Sequence, residues 1–380
     1  MSQDKKQPGR ILLADRMRAI APRYVNSGSD VYGARYVVKQ LENAPVVLAD
    51  NVAEYLTETK MRGNKHFDFY HAFPTVRPPF DVFWCEYKSS GIQNLGFDRA
   101  GFLFRTFEYD SIDIPIMEWI AYQSNIGFAE ERNLSVSETL QATNFISDFL
   151  ADRQLFKWRT DHKENWKPPS DLPPKWITIA TQCVGAEFDK NNNRCPWYWV
   201  VAAQCTFITD ANGVFAGPAY FNMTGTIGEL NRQNVQSPEK KQALQTELMF
   251  SIAPAFMAIS FMHCKNVSQV ETLPPPSLEK AFRKKHQGPP MVKYKMLAID
   301  PNMTGSGSHK STGEGGKRSF HIRRGNFANY DEENKLFGRF VGRYWRPSAR
   351  IGSKEHGEVI KTYDVKALQE SPQETTSTTN

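Results

Sequence analysis

The sequence of 380 residues predicts an α+β fold, in which a mixed or antiparallel sheet packs on a long kinked helix and a smaller, basic antiparallel sheet follows. Strand-like alternation, a long apolar helix and a concentration of positive charge near the C-terminus support this prediction. Residues 278–366 contain 19 Lys and Arg against 9 Asp and Glu, although the whole chain has a formal charge of +6. We therefore expect an N-terminal extension over 1–70, an α+β core domain over 71–272, a basic β-rich module over 273–368 and a disordered tail over 369–380.

Two neighbouring segments predict an antiparallel pair of strands. Phe80–Tyr87 and Ala100–Tyr109 are rich in aromatic and β-branched residues, and glycine-containing sequence separates them. Glu86 and Glu108 would each lie near a strand end, where two carboxylates could bind a divalent ion for nuclease chemistry. We favour the alternative, that both are ordinary solvent-facing carboxylates.

The middle of the chain predicts a β-meander. Trp176–Phe188 and Trp197–Thr209 have strand-like composition, and Asn212-Gly213 is typical of a hairpin turn. Alternate residues of the second strand should share one face, which is more typical of a sheet core than of a ligand pocket. These residues are Trp197, Trp199, Val201, Ala203, Cys205 and Phe207.

Three helices are predicted, two of them from the residues at their start. One should lie near Asp50–Lys60, and Ser135 followed by Glu138 forms a capping box that begins a second helix ending near Trp158. Pro238, at a favoured first helical position, begins a third that should end near His263 and bend at Pro254. The adjacent residues His263 and Cys264 do not form a nucleophile and base pair, because neighbouring side chains on a helix diverge by about 100°.

Composition excludes several classes of protein. The longest apolar run, Leu248–Met262, is too short to cross a bilayer and is interrupted by Pro254, so no membrane partner is expected. The N-terminus lacks the apolar core of a secretion signal, which predicts a cytoplasmic location. Five widely spaced cysteines predict free thiols, and their spacing fits no zinc site, so we expect neither a metal nor another cofactor.

The C-terminal region predicts nucleic-acid binding, to RNA or DNA. Four segments, Val292–Ile299, Ser319–Arg324, Gly342–Arg346 and Val359–Val365, should form one small sheet that carries cations and aromatic rings. Cations neutralise phosphates and rings stack on bases. Self-association into a homo-oligomer is a further partner that we consider. The candidate binding residues are Arg283, Lys284, Lys285, Arg323, Arg324, Arg339, Arg343, Tyr344, Trp345, Arg346 and Arg350.

Three blocks resemble a family encoded by phages and integrated mobile elements. They are "PPFDVFWCEY" at Pro78–Tyr87, "AISFMHCKNV" at Ala258–Val267 with the following "KYKMLAIDP", and "HIRRGNFANYDEENKLFGRFVGRYW" at His321–Trp345. The last combines His-x-x-Arg-Gly, Leu-Phe-Gly and Gly-x-Tyr-Trp. The family usually has His where this chain has Asn326 and Ala349. The resemblance implies a phage or mobile-element context and no established activity.

Two other functions compete with nucleic-acid binding. In a metal-independent, toxin-like ribonuclease, His321 would transfer a proton, Arg323 and Arg324 would hold the scissile phosphate, and Tyr344 would assist. The alternative for His321 is a cross-strand pair with Asp364 or Glu358. A virion structural or assembly protein is the third hypothesis, because such proteins share no common chemistry.

Overall fold

The structure is a computed structural model that describes residues 11–20, 28–58, 72–89, 97–108, 133–135, 137–139, 176–188, 194–216, 219–223, 238–299, 319–323, 326–346, 349–351 and 353–358. The chain divides into two compact units, Met1–Asp300 (the large unit) and Pro301–Asn380 (the second unit). The division follows Asp300, rather than residue 272 as predicted, because a strand over Tyr294–Ile299 pairs inside the sheet of the large unit.

The helices that we number are α1 (Leu13–Ala19), α2 (Gly28–Leu41), α3 (Asp50–Glu58), α4 (Pro238–Met262) and α5 (Pro276–His286). The strands of the large unit are β1 (Val46–Leu48), β2 (Val82–Lys88), β3 (Arg99–Glu108), β4 (Trp176–Phe188), β5 (Arg194–Thr209), β6 (Tyr220–Met223), β7 (Val267–Thr272) and β8 (Tyr294–Ile299). Those of the second unit are β9 (Ser319–Arg323), β10 (Asn326–Tyr330), β11 (Gly342–Arg346), β12 (Ala349–Ile351) and β13 (Ser353–Glu358).

A mixed sheet of eight strands organises the large unit, in the order β6-β5-β4-β3-β2-β1-β8-β7. β1 is parallel to both of its neighbours, β2 and β8, and the other pairs are antiparallel. The predicted antiparallel pairing of β2 with β3 is confirmed, with Trp84 opposite Leu103. The N-terminal residues predicted as an extension instead supply β1, which lies inside the sheet.

The sheet is covered on both faces. On one face, α1 and α2 pack on Trp84, Leu103, Cys183 and Trp199, all of which are buried. On the other face, Phe256 of α4 contacts the rings of four phenylalanines from the sheet and its connections, with ring centroids 5.1 to 6.3 Å apart. Since buried aromatic rings contribute large apolar areas, Phe256 is a central residue of this core.

β5 does not present the single apolar face predicted from Trp197 to Phe207. The register shifts by one residue at Ala202, because Gln182 of β4 pairs with Ala203 while Cys183 pairs with Val201. An extra residue reverses the side-chain alternation beyond it. Trp199 therefore packs on the α1 side, and Phe207 packs against Phe256 on the α4 side.

α4 has the predicted extent, and every residue from Ser251 to Phe261 is buried. Pro254 lies inside the helix and has no N–H to donate to the carbonyl of Phe250. The hydroxyl of Tyr87 on β2 donates a hydrogen bond to the next carbonyl, that of Ser251. This hydrogen bond joins the helix near Pro254 to the sheet. The predicted bend at Pro254 stays a prediction.

The second unit contains a two-stranded antiparallel sheet, β10-β11, and a three-stranded sheet in the order β12-β9-β13. Val292–Ile299 does not join them, contrary to the prediction, because β8 pairs with β1 and β7. Val359–Val365 lies outside the described residues. Among the helices that the structure describes, none is both long and apolar enough to cross a membrane.

Candidate functional site

A cationic helix lies on the surface of the large unit. α5 begins with prolines and buries Phe282, whereas Lys280, Arg283, Lys284 and Lys285 are exposed; these four residues form the basic helix surface. Positions 280, 283 and 284 are three and four residues apart and therefore share one side of the helix. The last turn also places three of the cations at the negative end of the helix dipole, where they are favoured.

α1 lies beside the C-terminal end of α5. The ring of His286 packs on Phe282, with centroids 4.7 Å apart, and Arg18 of α1 donates to the carbonyl of Pro290 at 2.9 Å. The pKa of His286 is lowered, first by partial burial and then by the positive charges of Lys285 and Arg16. The two helices thus concentrate positive potential in one region, which an anionic ligand would relieve.

In the second unit, β10 and β11 form a hairpin in which the aromatic side chains pack against one another. Phe327 is opposite Trp345, and their rings meet edge to face at 4.8 Å. Tyr344 packs edge to face on Tyr330 at 5.7 Å. Tyr344 and Trp345 are only 3% and 4% exposed, so the prediction that their rings present stacking surfaces is wrong. Their burial stabilises the hairpin instead.

The predicted arginines of this hairpin differ in their surroundings. Arg343 donates from Nε to Oδ1 of Asn329 at 3.0 Å, and Arg346 lies over the ring of Tyr330 and donates to its hydroxyl. Arg339 is exposed in the connection between the strands. Arg339 is therefore the hairpin arginine whose guanidinium is most accessible to a ligand.

The connection ends in a tight turn with an unfavourable backbone conformation. The amide of Arg339 donates to the carbonyl of Leu336 at 3.1 Å, which places Phe337 and Gly338 at the centre of the turn, with φ of 54° and 69°. Two positive φ angles are typical of a type I′ turn, where Asn-Gly is favoured. A left-handed conformation costs a residue such as Phe337 about 1–2 kcal/mol. Phe337 is nevertheless 44% exposed.

Of the remaining predicted residues, those that the structure describes lie on the three-stranded sheet, and the strand pairing gives their positions. His321 on β9 is opposite Ile351, and Arg323 is opposite Ala349 on β12. Arg350 is opposite Ile322. Arg324 lies outside the described residues, so the proposed phosphate-binding pair of adjacent arginines stays a prediction.

Sequence reasoning missed a buried carboxylate network beneath α1. Glu86 is fully buried and accepts four hydrogen bonds of 2.9 Å, from the amides of Leu13 and Ala14, the indole of Trp84 and Nε of Arg99. Two of these donors are amides in the first turn of α1, at the positive end of its dipole. The network thus fixes the beginning of α1 on the sheet.

Neighbouring groups complete the network. Arg99 also donates to Asp50 at 3.2 Å, and its pKa is raised because the attraction of both carboxylates outweighs the opposing effect of burial. Gly101 lies opposite Glu86, and a Cβ at that position would collide with the ring of Trp84. The missing side chain at Gly101 therefore lets the indole reach Glu86.

The proposed pairing of Glu86 with Glu108 around a divalent ion is wrong. Glu86 is opposite Gly101 in the antiparallel pair, and Glu108 lies seven residues further along β3. At about 3.3 Å per residue, the two carboxylates are about 23 Å apart along the strand. Glu86 is also buried rather than solvent-facing, so the favoured alternative is wrong for this residue.

A second buried carboxylate, Asp15, ties α1 to the segment after α5. Its oxygens accept hydrogen bonds from the amides of Leu12 at 3.2 Å and Val292 at 2.7 Å. Burial raises the pKa of Asp15 to about 7 despite these bonds, and the nearby charge of Glu86 adds to the effect. The first turn of α1 is therefore held by two carboxylates: Glu86 of β2 accepts its amides, and its own Asp15 binds the segment that precedes β8.

No protein-family model, curated protein or solved structure matches the chain. The function is therefore argued from the residues and their geometry. Within the part of the chain that the structure describes, no cluster of three or more His, Cys, Asp or Glu side chains has an arrangement that could hold a metal ion.

Proposed function

We propose that the chain binds nucleic acid through the basic helix surface. The observation that carries the proposal is the arrangement of α5, whose apolar anchor Phe282 is buried while four cations face solvent. Glu279, at the start of the helix, is the one acid within α5. A charged face of this composition can simply be solvated, but Arg16 of α1 and Lys285 of α5 both lie close enough to His286 to oppose its protonation, so cations of two helices meet in one region.

The dimensions of the surface suit a nucleic-acid backbone. Lys280 and Lys284 are four residues apart on one side of the helix, which corresponds to about 6 Å along its axis. Duplex DNA carries one charge per about 1.7 Å of axis, so several phosphates lie within reach of the long side chains. Each neutralised phosphate releases counterions. The logarithm of the binding constant should therefore fall linearly with the logarithm of the salt concentration, with a slope of about −0.9 per phosphate contact on duplex DNA and −0.7 on single strands.

The test measures the affinity of the full-length protein for labelled single-stranded and duplex DNA, by fluorescence anisotropy, over a series of salt concentrations. The double variant Lys280→Gln and Lys284→Gln should reduce the slope on duplex DNA by up to about two, because each lysine that binds a phosphate accounts for about one unit of slope. Both residues are exposed, so we expect the fold to be retained.

Lys265→Gln is the matched control. This lysine is equally exposed, but it precedes β7, whereas α5 follows β7, a strand of six residues or about 20 Å. The control should leave the slope unchanged. Salt-independent binding by the unmodified protein, or equal slopes for the double variant and the unmodified protein, would contradict the proposal.

The same proposal includes the cytoplasmic location predicted from the N-terminal sequence and the phage or mobile-element context that the family resemblance implies. Intracellular nucleic acid would be the ligand in that setting. Fractionation of cells that express the chain from its own gene, followed by sequencing of the nucleic acid that co-purifies with it, tests both the location and the ligand. Recovery of the chain without nucleic acid would argue against this ligand assignment.

A further inference from the structure

The tip of the β10-β11 hairpin carries two aromatic rings that are accessible to solvent. Phe337 and Phe340 are 44% and 37% exposed, and Val341 beside them is 38% exposed. Leu336, by contrast, is buried and anchors the turn, and its backbone exchanges hydrogen bonds with that of Phe340 at 2.8 and 3.0 Å. Exposed apolar side chains that are grouped, rather than scattered singly, mark binding surfaces.

The cation beside the two rings favours an anionic ligand. The hairpin with its connection, residues 326–346, contains four Lys and Arg and three Asp and Glu, and all three acids precede the turn, at positions 331–333. Arg339 lies between the two phenylalanines in sequence and is exposed. The acids that precede the turn are partly satisfied within it, because Glu332 pairs with Lys335 at 2.6 Å and Asp331 accepts two backbone amides.

We propose that Phe337 and Phe340 stack on unpaired bases of single-stranded nucleic acid, while Arg339 contacts the adjacent phosphate. This proposal rests on the proposed function and specifies its ligand. Every base offers a flat face to an aromatic ring, but in a duplex those faces are already stacked on one another. Two phenylalanines with a cation between them therefore fit a single strand better than a duplex.

The experiment compares the full-length protein with the variants Phe337→Leu and Phe340→Leu for binding to a fluorescein-labelled oligo-dT of about 20 nucleotides and to a duplex of equal length. Leucine keeps an apolar side chain but removes the ring. Each variant should lose about 5- to 150-fold in affinity for oligo-dT, which is the range for one stacked base. The salt slope should stay constant, because stacking releases no counterions, and duplex affinity should be unchanged.

Two matched variants separate the contributions at the tip. Val341→Ala shortens a similarly exposed side chain without removing a ring, and it should leave the affinity for oligo-dT unchanged. Arg339→Gln should lower the salt slope on oligo-dT by about 0.7. The variant Phe340→Trp provides a direct reading, because the emission of a tryptophan that stacks on thymine bases should be quenched as oligo-dT is added.

The outcomes distinguish this proposal from the one on which it rests. Absence of salt-dependent binding by the unmodified protein overturns both. Binding of oligo-dT that both leucine variants retain in full overturns only the stacking of the tip. A second result would also overturn only the stacking of the tip: tighter binding of the unmodified protein to phosphatidylserine vesicles than to oligo-dT, with loss of vesicle binding in the leucine variants. The rings would then enter a lipid surface.

Discussion

Replacement of Glu86 by Gln should strongly destabilise the large unit. Gln has the size and shape of Glu, but it carries no charge and offers one acceptor oxygen instead of two. The four donors around Glu86 lie at 2.9 Å, two on each oxygen, so the amide group of Gln would face two donors with its own N–H groups. Arg99 would keep Asp50 as its remaining carboxylate partner.

The magnitude follows from two costs. Breaking a buried ion pair by removing one partner costs about 3–5 kcal/mol, since a charge is left uncompensated. Each buried donor without an acceptor costs about 1–3 kcal/mol, although the two costs overlap where the donor is Arg99. Asp50 retains part of the compensation, so we expect Glu86→Gln to lower the free energy of unfolding by about 4 kcal/mol. That is a large fraction of the 5–15 kcal/mol typical of a domain.

Urea unfolding followed by circular dichroism measures this decrease. Asp50→Asn is the matched control, because Asp50 contacts the same arginine but is more accessible to water. It should cost about 1–2 kcal/mol, since water can hydrate the groups that it leaves. A free energy of unfolding for Glu86→Gln within about 1 kcal/mol of the unmodified protein, or a larger decrease for Asp50→Asn, would refute the reasoning.

Three further predictions concern single side chains. Burial raises the pKa of Asp15 from 3.8 to about 7 in the folded protein, so the contribution of this residue to stability should be complete below about pH 4 and should decrease by about 4 kcal/mol as the pH rises from 4 through 7. Asp15→Asn should remove this component of the pH dependence in urea titrations at several pH values. Phe256→Ala should cost about 3–5 kcal/mol in the same assay, whereas Val270→Ala at an exposed site should cost less than about 0.5 kcal/mol. Because the pKa of His286 lies below its ordinary 6.5, affinity for oligonucleotides should increase as the pH falls below about 6.5, and His286→Gln should remove that increase in anisotropy titrations.

Local patterns in the sequence were sufficient for the elements whose partners are near in sequence. The alternation in 80–87 and 100–109 predicted β2, β3 and their antiparallel pairing, and the interaction of Ser135 with Glu138 was predicted from their spacing and is confirmed at 2.6 to 3.3 Å. Pro238 predicted the start of α4. In each case the stabilising contacts join residues that the chain itself brings close.

Features that depend on distant contacts were missed. β1 is three residues long and pairs with strands that begin 36 and 248 residues after it, so no local pattern indicates its place. The single extra residue at Ala202 reverses which face Phe207 occupies, and the alternation of residue types gives no sign of it. Glu86 is the one acid in a mostly apolar strand, β2, and sequence alone cannot distinguish it from a solvent-facing carboxylate until its four donors are known.

The positive charge over 278–366, which the sequence suggested belongs to one module, is divided between the two units of the structure. Of its 19 cations, 6 precede Pro301 and belong to the large unit, and 13 follow in the second unit. Charge counted along the chain therefore combined two surfaces into one predicted module. The two proposals above separate them, since one concerns phosphate contacts at α5 and the other concerns stacking at the β10-β11 turn.

The buried carboxylates have a structural role that bears on the basic helix surface. All four hydrogen bonds to Glu86 come from protein groups, and the residue is fully buried, so no oxygen faces a substrate. The contacts hold the first turn of α1, and Asp15 links that turn to Val292, which follows α5. These contacts thereby fix the position of Arg16, on α1, relative to α5. Substitutions at Glu86 should accordingly lower nucleic-acid affinity only in proportion to the fraction of protein that they unfold.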